Sequence, residues 1–447
     1  MTTAFFIILY SLFVYTAWTK FRFALGLLVF SLPSYLIRFH IGPFPTTFLE
    51  GLLLILFLIW GARTFLIERR TLREISSSIS QSLSLSIFIP ILLFLLASVI
   101  SIFVAPDIRA ALGLWRAYII EPLLFFIILL DTATKKSPLL LGEGAGEVRL
   151  ADIIIAALAA SALFLSIIAI YQYFTGWMIP YPWQELPGRR VTSIFPYPNA
   201  LGLYLAPIIV LLTGWSINTK NKLTAYCFAL TAILSSAAIL AAKSHGAIAG
   251  VIAGLFLIGV SQKKFRAFTV VVLILASVII GAYSPWRSYV MSYLTFTTAS
   301  GKIRITQYQE TMTMLRDGRI LQGAGLSGYK KTVKPYHKNK RVEIYPYPHN
   351  IMLNFWTELG LFGLLSFLWL IVAAYQCAIK KIKRLGFSVL NLGFPAVASL
   401  TTLLVHGLVD VPFFKNDLAI LFWIIIALII LETTSVKHAE SLRHVES

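Results

Sequence analysis

One histidine stands where a long basic stretch gives way to an apolar run: His349, in PHNIMLNFWTELGLFGLL from Pro348. An imidazole in that place can cap a helix or exchange protons near neutral pH, and its position alone leaves both readings open. On a helix beginning there, His349, Leu353, Trp356, Gly360 and Gly363 share one face, and the two glycines would let a neighbouring helix approach closely. Asn350, Asn354 and Thr357 form an adjoining polar strip. Glu358 follows at about 900° of helical turn and faces away from His349. Asp410 sits at the end of an apolar run, where a carboxylate is costly and is paired, terminal or functional. Lys243 and His245 occupy a turn between two other runs. Arg116 and Glu121 share one run and are expected to pair with polar groups for structure. Glu50 starts another, where it would favour the helix dipole.

The stretch before His349, residues 285–348, carries Arg287, Lys302, Arg304, Arg316, Arg319, Lys330, Lys331, Lys334, Lys338, Lys340 and Arg341 against Glu310, Asp317 and Glu343, a net charge of +8. Such a surface could hold anionic lipid headgroups or an anionic substrate such as a lipid diphosphate. Within it, Ile303 to Asp317 reads as helix, GAGLSGY (323–329) as a glycine-rich turn, and KKTVKPYHKNKR (330–341) as a mobile surface tract. A second stretch, 176–199, is rich in Pro and aromatics, as expected of an ordered loop at a membrane interface. The chain has no D-x-D, no H-E-x-x-H, no cysteine cluster and no phosphate loop. Neither a metal-bound nucleotide-sugar enzyme nor an ATP-driven machine is indicated, and no cofactor or nucleic-acid partner is expected.

The elements that must position these residues are membrane helices. Of the 447 residues, 58% are hydrophobic and 13% charged, with mean hydropathy +0.81, far from the soluble pattern of about 25% charged. The apolar runs are continuous and not alternating, which favours an all-α polytopic bundle over a barrel. Thirteen spans are expected, near 3–18, 23–37, 48–67, 84–104, 110–131, 152–174, 199–215, 223–242, 246–261, 267–284, 350–376, 389–409 and 416–432. The first two are short, so twelve is the alternative. Short loops and helix ends on one side hold 20 basic residues, whereas the other side holds six: Arg38, Arg109, Arg189, Arg190, Lys243 and Lys415. The basic side is cytoplasmic, which places 285–348 outside and 433–447 inside as a tail. The insertion KKSPLLLGEGAGEVR (135–149) shows no chemistry. Cys227 and Cys377 lie in apolar runs and form no disulfide framework. The amino terminus lacks a basic flank, so the first helix is expected to be retained.

Several landmarks occur in order around that outer loop. H-N-(nine residues)-G-L-F-G from His349 resembles the H-[N/S/Q]-x9-G-x-x-[G/T/Y] motif of the O-antigen ligase family, with O-antigen polymerases as looser relatives. RVTSIFPYPNALGLYL from Arg190 is similar to that family's arginine and P-N-x-L-G stretch, and GKIRITQYQETMTMLRDGRILQGAGLSGY (301–329) to the helix and turn opening its large loop. AKSHGAIAG (242–250) is similar to its S-R-G segment and HGLVDVPF (406–413) to a late helix. The resemblance covers about 185–432; residues 1–184 compare only in hydropathy.

It implies a GT-C-like transferase of the inner (plasma) membrane, working at the outer face. The donor would be an undecaprenyl diphosphate-linked glycan. The acceptor would be a glycan, a glycolipid or a protein. By the same resemblance Arg190 and Arg304, with Arg189 as a further candidate, would grip the diphosphate. His349 would take the acceptor proton in an inverting, metal-independent displacement, and Asn350 and Asp410 are possible supports. Where the family usually has arginine after the serine, this chain has His245, and Lys243 is the candidate to supply the missing cation. A polysaccharide polymerase is the alternative within the class, and a lipid or polysaccharide transporter the alternative outside it. The transporter would be expected to show inverted repeats and mid-membrane broken helices, which the sequence does not display.

Overall fold

The computed structural model describes residues 2–42, 44–135, 148–338, 342–385 and 393–443. Most of the 135–149 insertion, Lys340 and Arg341 of the basic tract, and the last four residues of the tail lie outside the described residues. The chain is a helical bundle: α1 (Thr2–Thr19), α2 (Phe21–Phe30), α3 (Phe48–Gly61), α4 (Leu72–Ser82), α5 (Leu85–Val104), α6 (Ile108–Trp115), α7 (Glu121–Thr134), α8 (Leu150–Thr175) and α9 (Pro198–Asn218). It continues with α10 (Lys222–Ala241), α11 (His245–Ser261), α12 (Lys263–Ala282), α13 (Ser284–Leu294), α14 (Ala299–Arg316), α15 (Tyr329–Val333), α16 (Ile351–Leu385), α17 (Gly393–Gly407) and α18 (Asn416–Arg443). π-helical turns extend α3 through Ala62–Ile67 and join α6 to α7 through Arg116–Ile120.

Among the described residues, eight helices are long and apolar enough to cross a membrane. Shorter apolar helices cover Phe5–Thr19, Phe21–Phe30, His245–Ser261, Gly393–Gly407 and Asn416–Leu431. Each of the thirteen expected spans finds its counterpart, but the second is cut back. At ten residues α2 extends only about 15 Å, half of a bilayer core. Pro33 follows in a 3-10 turn, Leu32–Leu36, and the chain then pairs in a hairpin, Arg38–Ile41 against Phe44–Thr47. Thr47 and Glu50 close a reciprocal capping box that starts α3, so Glu50 does more than face the dipole.

The centre is held by α9 and α18. The span of α9 is 83% buried, whereas the more apolar α12 has residues that are at most half-buried. Packing inside lipid depends on close approach, because tails solvate apolar side chains as well as a neighbour does. Gly202 of α9 provides that approach: a side chain there would come within 2.6 Å of Ser244 Oγ. This seats the start of α9 on the turn between α10 and α11.

The expected stripe on α16 is corrected. The helix kinks at Gly360, whose φ of +72° only glycine adopts freely, so His349 and Gly363 do not lie on one continuous face. The close neighbour is a loop and not a helix, because a Cβ at Gly360 would lie 2.4 Å from the carbonyl oxygen of Leu321. The kink releases the Thr357 carbonyl to the Ala324 amide (2.6 Å) and the Leu361 amide to the Leu321 carbonyl (3.0 Å). Glu358 accepts from the Ser327 amide at 2.6 Å. The GAGLSGY turn is thus clamped to α16, and Glu358 indeed takes no part in holding His349. The tract after the turn is also more ordered than expected through Lys338. Val333 is buried, and His337 reaches Glu310 at 3.1 Å.

Candidate functional site

Three turns meet at one end of the bundle: residues 190–197 before α9, 242–244 between α10 and α11, and 408–415 between α17 and α18. α14 and the residues before α16 pack onto them. His349 lies just ahead of α16 with φ +49°, a left-handed conformation that costs a non-glycine residue on the order of 1 kcal/mol. Its position is overdetermined. Tyr308 on α14 donates to the His349 carbonyl (3.0 Å) and to the Leu408 carbonyl (3.1 Å). Asn350 Nδ2 donates to that same Leu408 carbonyl (3.0 Å), while Asn350 Oδ1 caps α16 through the Leu353 amide (3.0 Å). Burial pushes the Tyr308 phenol up to about 12, so it remains a donor.

The His349 ring stands between Tyr345 and Tyr347, met edge-on at 5.1 and 5.0 Å. Its Nδ1 lies 3.4 Å from Asp410 Oδ1, and Nε2 has no protein partner among the described residues. Asp410 is only 1% exposed. It also accepts from Asn199 Nδ2 (3.2 Å) and from the Val411 amide (2.9 Å). Burial works to raise the Asp410 pKa, but His349 and the Val411 amide outweigh it and hold the carboxyl well below its usual range. A carboxylate so fixed orients one ring nitrogen as a donor and leaves the other free to accept a proton.

Beside this pair lie two guanidinium groups with no carboxylate on them among the described residues. Arg190 donates from Nε to the Ala242 carbonyl (2.8 Å) and from Nη2 to Asn199 Oδ1 (2.9 Å) and the Lys243 carbonyl (3.2 Å), with Trp183 beneath it at 4.9 Å. Arg304 donates from Nε to the Val409 carbonyl at 2.9 Å, and among the described residues its terminal nitrogens meet no acceptor. Burial lowers the Arg190 pKa; Tyr293 counteracts this and the like charge of Arg304 adds to it. The two cations therefore lie within each other's field, an arrangement that favours an anion between them.

His245 opens α11, bonds Tyr289 through Nε2 (2.7 Å) and stacks on Tyr293 (4.1 Å). It lies within the field of Arg190 and Arg304, which makes it a neighbour of the cationic edge. Lys243 contributes its carbonyl to Arg190, while its side chain is exposed and unpartnered. Arg189 is drawn away, with its guanidinium on the carbonyls of Tyr173 (3.2 Å) and Gln184 (3.5 Å). Arg116 pairs with Glu50 (2.9 Å) and Glu121 (3.3 Å), as expected of a structural ion pair. Among the described residues no three His, Cys, Asp or Glu side chains cluster to hold a metal.

Residues 230–368 match the O-antigen ligase family model. The match, to the description Wzy_C, supports an O-antigen ligase family assignment and a membrane glycan transferase of the ligase or polymerase type. No curated protein matches the chain. The ligase match contains Lys243, His245, Arg304, His349 and Asn350, while Arg190 and Asp410 lie outside it and reach the same place through Ala242 and His349.

Sequence reading missed Asn199, Tyr308 and the tyrosine pair 345 and 347. Asn199 bridges Arg190 to Asp410, and Tyr308 lies one helical turn beyond Arg304 on the same face of α14. The signals were present: Asn199 stands in the quoted P-N-x-L-G stretch, and the i, i+4 spacing on α14 was readable. Lys415, which reaches the Tyr197 hydroxyl and ring, gave no such signal because its partner is 218 positions away.

Proposed function

We propose that this protein transfers a glycan from an undecaprenyl diphosphate-linked donor to an acceptor hydroxyl, with inversion, at the extracytoplasmic end of the bundle in the plasma membrane. The observation that carries the reading is the His349–Asp410 pair standing beside two guanidinium groups that no carboxylate among the described residues neutralises. Terminal nitrogens of Arg304 and Nη1 of Arg190 would bind the diphosphate oxygens, and this charge-assisted contact strengthens as the leaving group gathers charge. The acceptor oxygen attacks the anomeric carbon as the bond to the diphosphate oxygen breaks. The bonding pair leaves with the diphosphate, and the hydroxyl proton passes to His349 Nε2. Asp410 holds the opposite nitrogen and stabilises the imidazolium so formed. The outward placement follows from the excess of Lys and Arg on the other side of the bundle.

Reconstitution in proteoliposomes with an undecaprenyl diphosphate-linked glycan and candidate acceptors tests this. Wild type should form a new glycosidic bond. His349→Ala should lower transfer by about 10²- to 10⁴-fold, the range of a lost general base, while donor still binds. Glycan crossing the bilayer with no new bond would instead support the transporter.

A further inference from the structure

One turn, between α17 and α18, grips the His349 ring twice. Asp410 meets Nδ1 directly at 3.4 Å. Lys415, at the end of the same turn, reaches the ring through two tyrosines. Its ammonium donates to the Tyr197 hydroxyl. That hydroxyl shares a hydrogen bond of 3.1 Å with the Tyr347 hydroxyl, and the Tyr347 ring meets His349 edge-on at 5.0 Å. We propose that Lys415 is a positioning residue for the transfer: by anchoring the Tyr197–Tyr347 pair it holds the imidazole so that Nε2 faces the acceptor hydroxyl. The inference rests on the transferase reading.

Three observations carry it. The first is that Asp410 alone restrains the ring weakly. Its contact of 3.4 Å is longer than the ordinary N–H···O hydrogen bond of about 2.7–3.2 Å. Of the two rings flanking the imidazole, Tyr345 has no hydroxyl partner among the described residues, whereas Tyr347 is tied. The second is that the anchor is rigid, because residues 197–199, 347–349 and 410–415 close a circuit. Asn199 joins Asp410 at 3.2 Å while Tyr197 joins Tyr347. Between the two grips Val411 and Phe413 are buried, and the Lys415 amide donates to the Phe413 carbonyl at 2.7 Å.

The third is where the Lys415 charge is spent. Among the described residues the ammonium has one polar partner, Tyr197, whose ring lies 4.3 Å from it. Burial lowers the Lys415 pKa, and the more distant carboxylates of Asp417 and Asp410 counteract this. Arg190 and His245 instead lie in the field of Arg304, so Lys415 stands apart from the diphosphate edge. An ammonium only donates, which makes the Tyr197 oxygen its acceptor. Burial pushes the Tyr197 and Tyr347 phenols up, and both remain neutral hydroxyls. A cation enclosed this far is costly unless its hydrogen bonds are used. A methionine would fill the same space and anchor nothing.

The test compares the full-length wild type with Lys415→Met, Lys415→Arg and Tyr347→Phe, the last of which keeps the flanking ring but cuts the tie. In the transfer assay Lys415→Met and Tyr347→Phe should each lower kcat about 10- to 100-fold, the scale of a catalytic group displaced by about an ångström. Donor KM should stay within about twofold. Lys415→Arg, which also only donates, should recover most of the lost kcat. The double variant should be no worse than about twofold below the weaker single one, because both changes cut the same chain. Nitrogen-15 NMR of histidine-labelled protein in nanodiscs, at alkaline pH and without donor, gives a readout independent of transfer. The His349 signal, assigned by its loss in His349→Ala, should show one tautomer in wild type and two in Lys415→Met. Unchanged kcat, additive losses, a tenfold rise in donor KM or an unaltered His349 signal in Lys415→Met overturns the proposal, the KM result marking Lys415 as a diphosphate ligand. A wild type that forms no glycosidic bond, yet whose His349 signal depends on Lys415, would sink the transferase reading and leave the clamp standing.

Discussion

Two sets of arginines at the same end of this bundle are held in opposite ways. Arg116 lies against Glu50 and Glu121, and Asn416 completes the shell of Glu50 at 3.0 Å. Arg190 and Arg304 are fixed by main-chain carbonyls and one asparagine oxygen, with no carboxylate within ion-pair distance among the described residues. A carbonyl orients a guanidinium without cancelling its charge. The charge of Arg116 is therefore offset by carboxylates, whereas Arg190 and Arg304 keep theirs available. Asp410 could have neutralised the second set, but His349, Asn199 and the Val411 amide occupy it. A half-buried cation kept without its anion carries a cost at this end of the bundle, and the proposed anionic donor would offset it.

The largest effect is expected where the carboxylate is diverted. Asp410→Asn keeps the shape, but it turns one accepting oxygen into a donating amide, so either the Asn199 contact or the His349 and Val411 contacts are lost, and it removes the charge that fixes the His349 tautomer. Transfer should fall about 10²-fold or more, by analogy with orienting carboxylates elsewhere, with donor affinity nearly unchanged. Because its pKa is depressed in the fold, Asp410 contributes stability above the unfolded carboxyl value of about 3.9. That contribution is lost only as the pH falls below this value, and the Asn variant should therefore lack that acid-side loss. Steady-state kinetics together with acid unfolding separate the two roles; a variant with normal turnover would leave His349 without a carboxylate partner in the mechanism.

Arg304→Ala should come next, with kcat/KM for the donor down by about 10- to 100-fold, the worth of one or two charged hydrogen bonds. Thermal stability should hardly change, because only the Val409 contact is lost. Arg116→Ala should do the reverse. It leaves Glu50 and Glu121 facing each other and should cost about 1–2 kcal/mol of stability, discounted because Arg116 is 44% exposed. Donor KM should stay within about twofold. Equal kinetic loss in both variants would erase the distinction between the two sets.

Much of this was legible in the sequence, and the limits have physical causes. The spans follow from continuous hydropathy, so their order was readable, while the end of the second was not, because Pro33 and the hairpin cut it short. Burial was not readable. α12 is more apolar than α9 yet far less buried, because packing in lipid is decided by small residues such as Gly202 and their distant partners. The candidate site residues His349, Arg190 and Arg304 were picked out by the resemblance of their stretches to the family's motifs. The kink at Gly360 was not, since a glycine in an apolar run reads as a close-approach surface until the Leu321 carbonyl is seen against it. Likewise Arg189 and Arg190 are adjacent in sequence, and only the placement of the Tyr173 and Ala242 carbonyls tells which one serves the site.

The smallest effect should come from Lys243, and it sharpens the comparison further. Its ammonium is exposed and touches no protein group, whereas its backbone, at φ +49°, presents a carbonyl to Arg190. If the residue serves through its main chain, Lys243→Ala should change donor KM by less than about twofold, as for an exposed side chain outside any network. Lys243→Gly, which relaxes the left-handed turn, should also leave Arg190 in place. Lys243→Pro cannot adopt the positive φ and should reduce donor affinity toward the level of Arg190→Ala. A tenfold rise in donor KM for Lys243→Ala would instead make the ammonium a third diphosphate ligand, supplying the cation that His245 does not.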